Sequence, residues 1–167
     1  VITDLCRKYE LPESLGPKLL KTKIDYYDRN LKVEFFDGFF DLLKYLKTTN
    51  IQLGIVTGGH RERVDLIVDK YLNGQFKVVV CSDDVKNTKP YPEPFLKGIE
   101  LLKIKNDECL VIENAPLGIQ AAKSAGIKTI AIETTLPKEY LKEADIIVQS
   151  FSEIQGIIAS YNSENEL

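Results

Sequence analysis

CLVIENAPLGIQAAKSAGIKTIAI, residues 109–132, decides the fold. It opens on an apolar run (109–113), crosses an Ala-rich helical stretch (115–126) and returns to a second apolar run (127–132). Gly126 stands where the helix must stop, because a residue after the C-cap commonly adopts positive φ, which glycine accepts without a Cβ clash. Both apolar runs are rich in Val and Ile and show little polar alternation. Strands buried on both faces of a parallel sheet read this way.

The same unit recurs outward from this stretch. Upstream lie the apolar runs IQLGIVT (51–57) and FKVVVCS (76–82), and downstream lies DIIVQS (145–150). Between them, residues 39–47 carry apolar side chains at Phe39, Leu42, Leu43 and Leu46, which is helical spacing. Residues 61–72 repeat it with Val64, Ile67, Val68 and Tyr71, and Asn73-Gly74 predicts the stop. Residues 92–103 open on prolines suited to a first helical turn, and 151–161 read as a last helix before a frayed acidic tail, SENEL. The alternation predicts an α/β fold with a doubly wound parallel sheet, whose strand carboxyl ends share one edge where ligands bind. That edge holds Thr57-Gly58-Gly59-His60, Ser82-Asp83-Asp84, Glu113-Asn114 and Glu133-Thr134-Thr135. The first 32 residues differ: ITDLCRKYE and PESLGPKLLKTKIDYYDRN are amphipathic helical patterns with no strand between them. They read as a separate or incomplete helical element.

Composition narrows the function. The 167 residues carry a net charge of -3 with no basic stripe, which argues against a nucleic-acid partner. No apolar run exceeds strand length, which argues against a membrane span. One His and no C-x₂-C pair disfavour zinc. Cys6, Cys81 and Cys109 lack paired spacing and read as reduced, buried thiols of a cytoplasmic protein. The chain starts at Val1 and holds no Met, so it reads as a piece of a longer protein. Nothing in the sequence signals oligomeric state.

Three strand ends can carry chemistry. Thr57 ends a strand ahead of two glycines, and a hydroxyl beside free backbone N–H groups can cradle a phosphate oxygen. A plain strand-to-helix turn explains the same residues. Lys89, in the Pro-dense KNTKPYPEP, precedes Pro90 and is biased toward an extended backbone aimed at the sheet edge. Its ammonium could neutralise a phosphoryl group, or it could be a solvated loop lysine. Glu113-Asn114 offers adjacent oxygen ligands suited to Mg²⁺, or a helix start built on Asn.

Taken in order, IVTGGHRERV, KNTKPYPEPFLKGIELL and CLVIENAPLGIQAAKSAGIKTIAI resemble motifs II, III and IV of the haloacid dehalogenase superfamily, nearest its β-phosphoglucomutase-like phosphatases. DGFFDLLKYLKTTNIQLGIVT resembles the turn, helix and second strand leading into motif II. The likeness runs from about Phe36 to Ile158. It implies a Rossmann-like core over 36–167 and a remnant of a helical cap over 1–35. It further implies that Thr57 binds the transferring phosphoryl group with the amides of Gly58 and Gly59 close by, that Lys89 stabilises charge, and that Glu113 and Asn114 hold Mg²⁺. Asn114 stands where the family usually has Asp, which removes one charge from the metal site. His60, just past motif II, is a candidate substrate contact or a surface helix start.

The family's motif I, an Asp-x-Asp that supplies the nucleophile and the general acid/base at the end of the first strand, is missing. Asp37-Gly38 in VEFFDGFF imitates its tail, but Phe35 stands two residues before Asp37 and no apolar strand precedes it. Asp37 reads instead as the N-cap of helix 39–47. Asp83-Asp84 are adjacent, not spaced by two. The resemblance therefore implies that the central first strand and the first half of the cap lie upstream of Val1. Without a nucleophile to split the reaction, this chain alone is expected to be nearly inactive. The leading expectation is a Mg²⁺-dependent phosphatase acting on a small phosphorylated metabolite such as a sugar phosphate, through an aspartyl-phosphate. The alternatives are a phosphomutase and a non-catalytic phosphate-binding or regulatory module. An unrelated nucleotide-binding domain is disfavoured, because no G-x-G-x-x-G or G-x₄-G-K-[ST] is present.

Overall fold

The sequence's strand–helix alternation is realised in a computed structural model, which describes residues 2–30, 32–72 and 74–164. The chain divides into two units, Val1–Glu34 and Phe35–Leu167. The first unit is helical: α1 (Ile2–Lys8), a 3₁₀ turn (Glu13–Leu15) and α2 (Gly16–Asn30). Leu20 and Ile24, four residues apart on one face of α2, are both exposed.

The second unit begins with α3 (Phe39–Leu46), β1 (Gly54–Val56) and α4 (Arg61–Ile67), which widens into a π-turn over Val68–Leu72. It continues through β2 (Val78–Val80), α5 (Glu93–Leu102) and β3 (Leu110–Glu113). It closes with α6 (Pro116–Ser124), β4 (Lys128–Ile132), β5 (Ile146–Val148) and α7 (Phe151–Glu164). Every predicted strand and helix of this unit is present, with strands shorter than the apolar runs. Gly126 is the helix stop the sequence indicates: its φ is +71, its N–H donates to the Lys123 carbonyl at 3.0 Å, and the Ile127 N–H donates to the Ala122 carbonyl at 3.0 Å. These two bonds close α6 in a Schellman motif.

Four expectations need correction. The residue before α3 is Gly38 at φ +81, and no side chain caps the helix, so Asp37 is not its N-cap. A left-handed residue turns the chain too sharply there for the preceding aspartate to reach the first helical amides. Helix 61–72 does not run regularly to its end, and Asn73 of its predicted stop lies outside the described residues, while Gly74 has φ +72. The last helix runs past residue 161, since α7 continues through Glu164, and residues 165–167 of the SENEL tail lie outside the described residues. Cys6 and Cys81 are buried free thiols, but Cys109 is only partly buried at the start of β3.

All pairing is parallel, in two sheets. β1 lies beside β2, with Ile55 opposite Val79. β3, β4 and β5 form the second sheet, with Ile112 opposite Ile130 and Ala131 opposite Ile147. Among the described residues β1 and β3 are not paired with each other. Double-sided burial therefore holds for β4, whose Thr129–Ile132 are all buried, and fails at the two inner edges. Gly54 is exposed, and Ile112 is 38% exposed in the middle of β3, because each strand has a neighbour on one side only.

The core is split by the sheet plane. One cluster joins α3, β4, β5 and α7 through Leu42, Leu46, Ile130, Val148 and Ile154. On the other face Phe95 and Ile99 of α5 meet Val111 and the Ala121–Ala122 pair of α6, and Val56 of β1 packs against the same cluster. The small alanines let α6 approach the sheet closely. Asp145 ties this face together by accepting the Thr129 N–H at 2.7 Å and Lys123 Nζ at 2.5 Å, and both contacts hold its carboxyl below the usual range. Among the described residues no helix is long and apolar enough to cross a membrane.

Candidate functional site

Thr57 directly follows β1. Its N–H donates to the Val80 carbonyl at 2.9 Å, extending the ladder by one residue, and its Oγ1 accepts the Gly59 N–H at 3.1 Å. The turn is pinned to the neighbouring strand end, where the Ser82 N–H and Oγ both donate to the Gly59 carbonyl at 3.0 and 3.1 Å. A Cβ on Gly59 would lie 3.0 Å from Val64 Cγ2, so the turn closes tightly over α4.

Lys89 arrives on the loop between β2 and α5. Glu93 organises that loop by accepting the Lys86 N–H at 2.8 Å and the Asn87 N–H at 2.9 Å, and these bonds hold its carboxyl below the usual range. Lys89 Nζ donates to the Val56 carbonyl at 3.1 Å, pairs with Glu113, and lies 4.8 Å from the centre of the Phe95 ring. The two side chains are 17% and 11% exposed, so the pair is largely withdrawn from water. Glu113 Oε2 also accepts the Asn114 N–H at 3.0 Å and the Ala115 N–H at 3.3 Å, at the entrance to α6. Asn114 Nδ2 donates to Thr134 Oγ1 at 3.0 Å.

These groups share one cavity of about 640 Å³ at the carboxyl ends of β1 and β3. Thr57, Gly58, Lys89, Glu113 and Asn114 all line it, although they come from three separate stretches of chain. Phe36, Phe39 and Phe151 form an aromatic wall. Gly59 and His60 are not among its lining residues. Gly59 acts on the Thr57 hydroxyl, and the His60 ring is 74% exposed with Nδ1 3.1 Å from Asp83 Oδ1.

Asp83 and Asp84 work as struts. Asp83 accepts the Arg61 N–H at 2.6 Å, and that bond with His60 holds its carboxyl below the usual range. Asp84 pairs with Arg61, whose guanidinium also donates to the Val79 carbonyl at 2.9 Å. Sequence reasoning placed one residue of the site on the ligand edge without giving it a role, and missed another. Thr134 lies at the carboxyl-end edge but carries no pattern of its own. Gly118 is needed because a Cβ there would fall 2.1 Å from Glu113 Oε1. The AP-L-G-I spacing contains that glycine without revealing what it faces.

The assembled groups are a hydroxyl, backbone amides and an ammonium beside a carboxylate and an amide oxygen. The cationic and amide side suits a phosphoryl anion. Among the described residues no three His, Cys, Asp or Glu side chains gather. Glu113 and Asn114 offer one carboxylate and one amide oxygen, donors of the kind Mg²⁺ takes alongside several waters, with the Glu113 oxygens engaged here by Lys89 and by the Asn114 and Ala115 amides.

The profile of haloacid dehalogenase-like hydrolases matches residues 2–132. The validoxylamine A 7'-phosphate phosphatase of Streptomyces hygroscopicus subsp. limoneus is 34% identical over 120 residues, covering 71% of this chain and 56% of that protein. The pyrophosphatase PpaX of Bacillus cereus is 33% identical over 142 residues, covering 83% of this chain and 65% of that protein. The chain thus spans between about half and two thirds of the length of these curated relatives. A Bacteroides vulgatus protein provisionally named a beta-phosphoglucomutase superposes with a TM-score of 0.81 at 30% identity, covering 97% of this chain and 69% of that one. The Clostridium difficile beta-phosphoglucomutase shares the fold, with a TM-score of 0.76 at 24% identity, covering 99% of this chain and 78% of that one.

Proposed function

The chain belongs to the haloacid dehalogenase-like hydrolase family, and we propose that it is the phosphoryl-gripping part of a phosphatase acting on a small phosphorylated metabolite. One observation carries the reading: Thr57, Lys89, Glu113 and Asn114, separated in sequence, line a single cavity at the strand carboxyl ends. The phosphatase names of two relatives support the reaction class. A sugar phosphate is the proposed substrate, with mutase chemistry as a variant, in keeping with the beta-phosphoglucomutase-like structural neighbour.

In this reading the Thr57 hydroxyl and the Gly58 amide hold two phosphoryl oxygens, and Lys89 faces the charge that grows during transfer. Gly59 orients the hydroxyl from behind, and His60 contacts the leaving portion of the substrate only after turning from Asp83. Mg²⁺, held by Glu113 and Asn114, supplies charge neutralisation when bound. The aspartate that attacks phosphorus and carries the phosphoryl group is not among these residues, since the sequence contains no Asp-x-Asp. The isolated chain therefore binds phosphate without turning it over. We read the helical unit Val1–Glu34 as the remnant of a helical cap. The three free thiols support a reducing, cytoplasmic setting.

A non-catalytic phosphate-binding role is the second reading. It is favoured by the uncharged Asn114 and by the engagement of Lys89 with Glu113. Titrating inorganic phosphate with and without Mg²⁺, followed by amide NMR, tests the grip. Shifts should centre on Thr57 and Gly58 and weaken in Lys89→Ala. Shifts spread over the surface, unchanged by that substitution, would sink both readings. Turnover by a longer protein carrying an Asp-x-Asp strand would then decide for the enzyme, and its absence for the binding module.

A further inference from the structure

We propose that Asp83 is a positioning residue for the phosphoryl grip: its carboxylate holds the Thr57-Gly58-Gly59 turn in shape from outside the cavity and so sets the direction of the groups that meet a phosphate. This role rests on the phosphoryl reading of the cavity and adds to it a residue that does not line it.

Two consecutive glycines do not hold a shape by themselves, because neither has a Cβ to restrict its backbone. The space around a Cβ on Gly58 is open, so no packing braces the turn there. Its geometry is imposed from the end of β2. The Ser82 N–H and Oγ hold the Gly59 carbonyl at 3.0 and 3.1 Å. Asp83 takes the next two residues: Oδ2 accepts the Arg61 N–H at 2.6 Å, and Oδ1 lies 3.1 Å from His60 Nδ1. With residues 59, 60 and 61 held, the Gly59 N–H is aimed at Thr57 Oγ1, 3.1 Å away. That bond occupies the acceptor side of the hydroxyl and leaves its proton to donate to a phosphoryl oxygen.

The charge of Asp83 separates this role from an electrostatic one. The bonds from Arg61 and His60 hold its carboxyl below the usual range, so it is an anion near neutrality. An anion close to a phosphate site repels the ligand. Through charge alone, removing Asp83 tightens phosphate binding. Through positioning, removing it loosens binding, because apparent affinity falls with the fraction of turns already in the gripping shape. The two roles carry opposite signs.

The test uses the whole chain, inorganic phosphate as the probe and amide NMR as the readout. The Asp83 side chain is 47% exposed, so truncating it leaves the core intact. Without phosphate, Asp83→Ala should speed exchange of the Gly59 amide at least about fivefold, although that amide bonds to Thr57 and not to Asp83. In the titration the same variant should bind phosphate at least about fivefold more weakly. Asp83→Asn removes the charge but keeps an acceptor for the Arg61 N–H, and should bind within about twofold of the unaltered chain. Asp145→Asn, which disturbs a carboxylate held by the Thr129 N–H and Lys123 outside the cavity lining, should move neither readout. The proposal is overturned if Asp83→Ala leaves Gly59 exchange unchanged, binds phosphate as tightly as the unaltered chain or more tightly, or is matched by Asp145→Asn. It is overturned equally if Asp83→Asn is as weak as Asp83→Ala, since the retained acceptor then rescues nothing. An unaltered chain whose Thr57 and Gly58 amides do not respond to phosphate overturns the phosphoryl reading itself, while the exchange comparison without phosphate still decides whether Asp83 holds the turn.

Discussion

Replacing Gly118 by alanine sets two effects of known size against each other. Gly118 lies inside α6, where alanine is favoured over glycine by about 1 kcal/mol. Against that gain, the new Cβ would fall 2.1 Å from Glu113 Oε1 and 2.5 Å from Oε2. The carboxylate must retreat by more than an ångström to regain ordinary contact, and it cannot do so while keeping the Asn114 N–H, the Ala115 N–H and the Lys89 ammonium. A charge-assisted hydrogen bond contributes about 1.5–3 kcal/mol, and this pair is largely withdrawn from water, so solvent restores little of the loss. Loss of one such contact outweighs the helix gain. Gly118→Ala should therefore destabilise the chain by about 1–2 kcal/mol, a fall of about 2–8 °C in Tm for a domain of this size. Urea unfolding followed by far-ultraviolet circular dichroism measures it. The decisive comparison repeats Gly118→Ala in a Glu113→Ala background, where the obstructing carboxylate is gone and the substitution should stabilise by about 1 kcal/mol. If Gly118→Ala stabilises the unaltered chain, or costs the same in both backgrounds, Gly118 does not hold the space for Glu113.

Removing the cation by Lys89→Met should cost about 2–4 kcal/mol, because it strands a carboxylate that is 11% exposed. Adding Glu113→Gln to it should recover part of that loss, and an unfolding midpoint unmoved by Lys89→Met would show the pair to be solvated. Asn114→Asp should tighten Mg²⁺ binding about tenfold, equivalent to about 1.4 kcal/mol, in a calorimetric titration. Unchanged affinity would remove residue 114 from the ligand set. The contacts that hold the Asp145 carboxyl below the usual range make its stabilisation complete above about pH 4, where the unfolded carboxylate is also ionised. That stabilisation is lost as pH falls through the lower folded value. Asp145→Asn should accordingly reduce stability near neutrality and flatten its decline below about pH 4. Parallel curves of urea midpoint against pH for the two proteins would contradict this.

Local periodicity and turn chemistry made the core legible from its residues. Apolar runs at 109–113 and 127–132 with Gly126 between them specify strand, helix and strand because side-chain burial and backbone φ act over a few residues. The handedness of crossovers then sends Thr57, Lys89 and Glu113-Asn114 toward one edge before any contact is known. Tertiary structure alone decided what those groups do to one another. Lys89 meets Glu113 across 24 residues of chain, His60 turns to Asp83 across 23, and Asn114 reaches Thr134 across 20. Such pairings depend on strand register and loop path, which no local pattern encodes. The need for glycine at 118 arises only because a carboxylate from the preceding strand rests over that point of α6. Asp37 misled for the same reason in reverse, since its polar side chain beside a helix start looks like a cap until the left-handed turn at Gly38 carries it away. The division into two sheets among the described residues is likewise a tertiary fact: apolar runs show that strands are buried, whereas which edges find a partner is settled by the assembly of the sheet.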